Sequence, residues 1–134
     1  MDKLSGGCLC GAVTFEIEND FRLFQLCHCE QCQKLSGSAH ASNLFAKPEK
    51  ITWLSGTEKI KRHDVEGRHI SNAFCEECGC RVPFLSLNGK IVFVPAGSLN
   101  DAPDMKPQAN IFWPERAAWY DDGVAAQHYS KYIE

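Results

Sequence analysis

Three tight cysteine clusters constrain this chain of 134 residues more than any other feature of its sequence. They read Cys8-X-Cys10, Cys27-X-Cys29-X-X-Cys32 and Cys75-X-X-Cys78-X-Cys80. Two sulfurs bound to one tetrahedral zinc stand about 3.7 Å apart when each Zn–S bond is ~2.3 Å. Residues i and i+2 of an extended chain face the same way, so a C-X-C pair chelates from the end of a strand. A C-X-X-C pair reaches the same geometry from a tight turn, and Gly79 after Cys78 gives such a turn its freedom. No cluster holds four thiols by itself. A closed site must therefore join distant segments, and in doing so it staples the fold.

Disulfides explain the pattern less well. A bridge within Cys8-X-Cys10 or Cys27-X-Cys29 closes a small, strained ring. The opening MDKLSGGCLC has no apolar run of signal-peptide length, and no later stretch is long and apolar enough to span a membrane. The expectation is a cytoplasmic chain, whose thiols stay reduced and serve as metal ligands.

Spacing leaves the pairing of the clusters open. One partition places Cys8, Cys10, Cys75 and Cys78 on a closed structural zinc and leaves Cys27, Cys29 and Cys32 on a second zinc with a free position. Another adds Cys80 to the second zinc and closes it. Simple cross-linking accounts for a closed site, whereas chemistry needs the free position.

Strand signals dominate the rest of the chain. AVTFEIE (12–18) alternates Val13, Phe15 and Ile17 against Thr14, Glu16 and Glu18, the pattern of a half-buried strand. FRLFQL leads into the second cluster, and SNLFA (42–46) and KITWLSG (50–56) are short apolar runs ended by Pro48 and Gly56. EKIKRHD and RHISNAF (68–74) read as further strands. FLSLNGKIVFV (84–94) reads as a hairpin with a two-residue turn at Asn88-Gly89. Only CEQCQKLSG (29–37) looks helical, for a turn or two before Gly37, and the tail DGVAAQHYSKYIE is ambiguous. Eight to ten short strands with almost no helix imply one all-β domain over 1–134, built of packed antiparallel sheets.

Charge narrows the function. A net charge of −3 and a pI of about 5.9 argue against affinity for nucleic acid or a membrane surface. The one dense basic run, KIKRH (59–63), alternates as a strand with a solvated face.

The segments GGCLCGAVTFE, CHCEQCQKLSGSAH, FCEECGC, AGSLND and NIFWPERAAWY occur in the order found in the glutathione-dependent formaldehyde-activating enzyme family, which includes the centromere protein V-like domains. The chain resembles that family from about Gly6 to Tyr120. The resemblance implies a β-tent fold and two zinc ions per chain. It implies a structural zinc on Cys8, Cys10, Cys75 and Cys78, and a catalytic zinc on Cys27, Cys29 and Cys32. It also implies a carbon–sulfur lyase reaction, the founding one joining glutathione to formaldehyde as S-hydroxymethylglutathione. Two positions depart from the family pattern: Cys80 follows Cys-Gly where Thr or Ser is more usual, and Asn110 stands where many members have His.

A three-thiolate zinc is a net negative site and a weak Lewis acid, better suited to capturing a soft thiolate than to activating water. A substrate thiol held there as thiolate is a nucleophile toward an aldehyde carbon. Around this site His28 either relays a proton or, as the plainer expectation, points away as a surface residue. Lys34, Arg81 and Arg116 are candidates for binding the carboxylates of a glutathione-like substrate. Trp113 and Trp119 either line a pocket or sit in the core. His40, His63, His69 and His128 repeat no ligand spacing and receive no role. Three classes of function follow: an enzyme acting on a small thiol adduct, a zinc-stapled binding module without chemistry, and a redox or metal-buffering protein using Cys80.

Overall fold

Val13, Phe15 and Ile17 are fully buried while Thr14, Glu16 and Glu18 are half-exposed, so the alternation in the sequence is the alternation of the fold. The computed structural model describes residues 2–133. In chain order these form β1 (Lys3–Gly7), β2 (Thr14–Glu18), β3 (Leu23–Cys27), α1 (Glu30–Ser36), β4 (Ala41–Ala46), β5 (Ile51–Ser55), β6 (Ile60–Asp64), β7 (Ser71–Cys75), β8 (Phe84–Leu85), β9 (Val92–Pro95), β10 (Ala109–Ile111) and α2 (Tyr120–Ala125). The architecture is mostly β with little helix, as the strand signals predict.

The strands make three sheets, ordered β1-β2-β5, β10-β3-β4-β9-β8 and β6-β7. All pairings are antiparallel except one, β10 beside β3. The main core lies between the first two sheets. Leu4, Phe15 and Ile17 from one meet Phe24, Leu44, Val92 and Val94 from the other. β1 carries no apolar alternation of its own and is held by its partner. At Gly6 a side chain would collide with the Phe15 ring and the Ser98 carbonyl.

Two local features refine the sequence reading. The hairpin at 84–94 turns through a longer loop than a two-residue turn. Leu85 pairs with Val92, the Ser86 N–H donates to the Ile91 carbonyl, and 87–90 form the loop. Asn88 Oδ1 accepts from the Lys90 N–H and from Ser86 Oγ, so these side chains satisfy the extra backbone that the loop exposes. The predicted helical turn before Gly37 is α1, closed by Gly37 at φ 63° with its N–H on the Gln33 carbonyl. The ambiguous tail begins with the short, exposed α2. Among the described residues no helix is long and apolar enough to cross a membrane.

Candidate metal centres

The turn after β1 and the turn after β7 bring four thiols together. Cys8, Cys10, Cys75 and Cys78 have their sulfurs within 4.8 Å of one another. The Cys8–Cys10 and Cys10–Cys75 sulfurs are 3.6 and 3.9 Å apart, close to the ~3.7 Å that two ligands of one zinc require. Gly79 at φ 74° donates its N–H to the Cys75 carbonyl and closes the turn that carries Cys78. The backbone N–H groups of Cys10 and then Cys80 point at the Cys78 sulfur and bring its pKa down to about 6. These sulfurs link β1 to β7, strands of two different sheets.

The second group arises within one short segment. Cys27 ends β3, Cys29 caps α1, and Cys32 lies in its first turn. The Cys32 N–H donates to the Cys29 sulfur at 3.3 Å. All three thiols are buried and lie within 4.8 Å of one another. A hydrogen bond from the Cys32 thiol draws the Cys27 pKa down to about 6, while that same bond to Cys27, and then burial, push Cys32 far up. Cys27 thus gives up its proton readily while Cys32 resists losing its own, an electrostatic arrangement that suits a cation. The donor sets of both groups could hold a metal ion and are consistent with zinc.

What adjoins the two groups differs. Cys27 and Cys32 open onto a cavity of about 400 Å³, together with Gln25, Asn43, Arg81 and Phe112. None of the four thiols of the first group lines it. Phe45, Phe93 and Ile111 give it an apolar wall. The β6–β7 hairpin tip contributes Gly67, Arg68 and His69, and the Arg68 guanidinium sits 5.4 Å from the Phe112 ring centre. Phe112, at φ 54°, is the only non-glycine at positive φ among the described residues. That conformation is costly for an aromatic residue, and it falls at the cavity wall.

Cys80 joins neither set of ligands. Its thiol donates to the Arg81 carbonyl at 3.4 Å, and it packs beside the four-thiol group rather than the three-thiol one. The knuckle at 75–80 folds against the turn after β1 and keeps Cys80 beside Cys8, Cys75 and Cys78.

His28 departs from the surface position expected of it. It does point away from the cavity, because C-X-C geometry sends the middle residue to the opposite side. That side is covered: His28 is fully buried. Its Nε2–H donates to Asn110 Oδ1 at 2.9 Å, and the rings of His40, Trp113 and Tyr120 surround it at 4.9–5.1 Å. Asn110 on β10 therefore secures the segment between two cysteines. The C-terminal aromatics serve this packing rather than the main core, with Trp113 against His28 and Trp119 exposed.

Of the three basic candidates, only Arg81 lines the cavity. Arg116 stacks 4.3 Å from the Trp113 ring centre and pairs with Asp121 at 3.4 Å. Lys34 lies in a separate groove with Trp119. Gln25, Asn43 and Arg68 escaped the sequence reading, and His69, which it left without a role, lines the cavity with them. Gln25 and Asn43 sit on paired strands whose inward polar residues are unusual, and that was the available signal.

A family model described as "Glutathione-dependent formaldehyde-activating enzyme" matches residues 3–115. Among solved structures, the fold is similar to that of a Rhodobacter sphaeroides protein known from a crystal structure. The two share 22% identity over 80% of this chain and 98% of that one, with a TM-score of 0.61. At that identity the likeness is one of fold.

Proposed function

This chain belongs to the glutathione-dependent formaldehyde-activating enzyme family, and on that premise we propose that it is a zinc-dependent enzyme of the carbon–sulfur lyase type. Its substrate is a glutathione–aldehyde adduct of the S-hydroxymethylglutathione kind, or a related small thiol adduct. The observation that carries this reading is the asymmetry of the two thiol groups: the three-thiol group opens onto a cavity and the four-thiol group does not line it.

In this reading the protein is a single domain of the cytoplasm with two zinc ions. Cys8, Cys10, Cys75 and Cys78 hold the structural ion, and Cys27, Cys29 and Cys32 hold the catalytic one. A zinc in the latter set supplies a dock that keeps a substrate thiol deprotonated. The chain's own residues do the rest. Phe45, Phe93 and Ile111 give the dock an apolar wall. His28 and Asn110 fix the turn that presents Cys27 and Cys29. In the reaction a carbon–sulfur bond forms as the thiol adds to the aldehyde, and the thiol proton ends on the former carbonyl oxygen. The reverse direction breaks that bond and returns both reactants.

The test is the rate at which isotopically labelled formaldehyde exchanges into its glutathione adduct, followed by NMR. Zinc-loaded protein should accelerate the exchange, and Cys32→Ser should abolish the acceleration while keeping the fold. No acceleration by fully loaded wild-type protein would reject the enzyme reading in favour of a zinc-stapled binding module.

A further inference from the structure

The basic side chains on the cavity wall face no carboxylate there. Arg68, His69 and Arg81 line it beside the cysteines, and no aspartate or glutamate does. Arg81 is the half-buried one. Its Nε donates to Asn72 Oδ1 at 2.8 Å and its Nη2 to the Ser71 carbonyl at 3.4 Å. Both acceptors are neutral. Among the described residues no carboxylate pairs with Arg81, and its Nη1 donates to no protein acceptor. Burial pushes its pKa down, and the neighbouring Cys32 opposes that shift. A half-buried guanidinium with no carboxylate partner keeps donor capacity for an anionic group. The same cavity holds a buried acceptor, Asn43 Oδ1, that has no hydrogen-bond partner. The cavity thus offers free guanidinium N–H groups to an anionic group and a free amide oxygen to a donor.

We propose that Arg81 is a specificity-determining residue that selects thiol ligands carrying a carboxylate. The proposal rests on the reading of Cys27, Cys29 and Cys32 as the thiol dock. The ligand sulfur faces the wall formed by Cys27 and Cys32. Its carboxylate receives the free Nη1 hydrogens of Arg81, a charge-assisted contact that a neutral or cationic thiol cannot make. Arg68, exposed on the hairpin tip, adds to the positive field at the mouth. The chemical class is a compact mercapto acid or a cysteinyl peptide with a free carboxylate.

The experiment uses protein with cobalt in place of zinc and follows the cobalt absorption bands during titration with three matched thiols. These are 3-mercaptopropionate, 3-mercaptopropionamide and cysteamine. The acid should bind about tenfold or more tightly than the amide, and cysteamine weakest of all. Arg81→Gln should bring the acid-to-amide ratio close to one, and Arg81→Lys should give an intermediate ratio. Equal binding of acid and amide by the wild type overturns the proposal without any variant. A ratio that survives Arg81→Gln also overturns it, because Arg81 would then only be supporting Asn72 and Ser71. If Arg81→Gln does not fold, Arg81→Lys decides, and an unchanged ratio in that variant rejects the role. Should no thiol move the bands of the wild type, the thiol dock itself fails and this proposal falls with it.

Discussion

The four-thiol and three-thiol groups use the same donor atom and differ in what they connect. The first draws on residues 8, 10, 75 and 78, and so binds a strand of one sheet to a strand of another. The second draws on residues 27 to 32, one strand end and the first turn of one helix. Losing a cation from the first frees two sheets from each other. Losing one from the second frees only a local turn, which α1, the β3–β4 pairing and the His28–Asn110 bond still hold. Sequence separation between ligands thus sets how much of the fold each group ties together, and burial does not: the three-thiol group is the more buried of the two.

The sharpest way to break this comparison is to remove one ligand from each group. Ligation of structural zinc supplies on the order of 10 kcal/mol, and a whole domain is stable by only ~5–15 kcal/mol. Cys75→Ser should therefore give unfolded or insoluble protein, whereas Cys32→Ser should fold. Thermal melts by circular dichroism would show it. A soluble Cys75→Ser protein that melts with the wild type would remove the staple from the account.

Chelation tests the same difference without mutation. A three-thiolate ion with an exchangeable position should leave sooner than one enclosed by four thiolates. Mild chelator should take about one bound zinc of two, counted by metal analysis, while the circular-dichroism spectrum stays β. Simultaneous loss of both ions with unfolding would make the two groups equivalent.

A smaller effect is expected from the layer behind the three-thiol group. Asn110→Ala leaves the buried His28 Nε2–H without its acceptor. Such a loss costs about 1–3 kcal/mol. The melting temperature should fall modestly, and zinc should leave the three-thiol group faster with the four-thiol group unaffected. An unchanged release rate would mean that the His28 cage does not support the site.

Which parts of this were legible in the sequence follows from how far each determinant lies along the chain. The β2 alternation, the α1 turn with Gly37 and the knuckle with Gly79 are local, and each could be read directly. The ligand groups were legible as clusters, but their partition was not, because nothing in the spacing says that residues 8 and 75 meet. β1 was missed because its sequence, Lys-Leu-Ser-Gly-Gly, is weakly strand-like and depends on Phe15 packing over Gly6. β10 was missed because a three-residue parallel partner exists only through β3. The burial of His28 and the cavity face of His69 had no local trace, since segments 82 and 42 residues away in sequence, at Asn110 and at Cys27, define them.

The smallest effect concerns Cys80, the thiol that separates the closed and open versions of the second site. It lies beside the four-thiol group, and its thiol donates to the Arg81 carbonyl. Burial holds its pKa above the ordinary thiol range, so near neutral pH it remains a protonated thiol. A protonated thiol outside both ligand sets contributes little to metal binding. Cys80→Ser should thus retain both metals and change stability by about 1 kcal/mol or less. The cobalt derivative is the sensitive probe, because its charge-transfer and d–d bands follow the number of thiolates. Those bands should be the same in wild type and in Cys80→Ser, and adding glutathione should shift them in both. If Cys80→Ser alone alters the bands and glutathione alters nothing, Cys80 is reaching the three-thiol ion in solution. The two groups would then both be closed, and the difference between them would be one of position and not of chemistry.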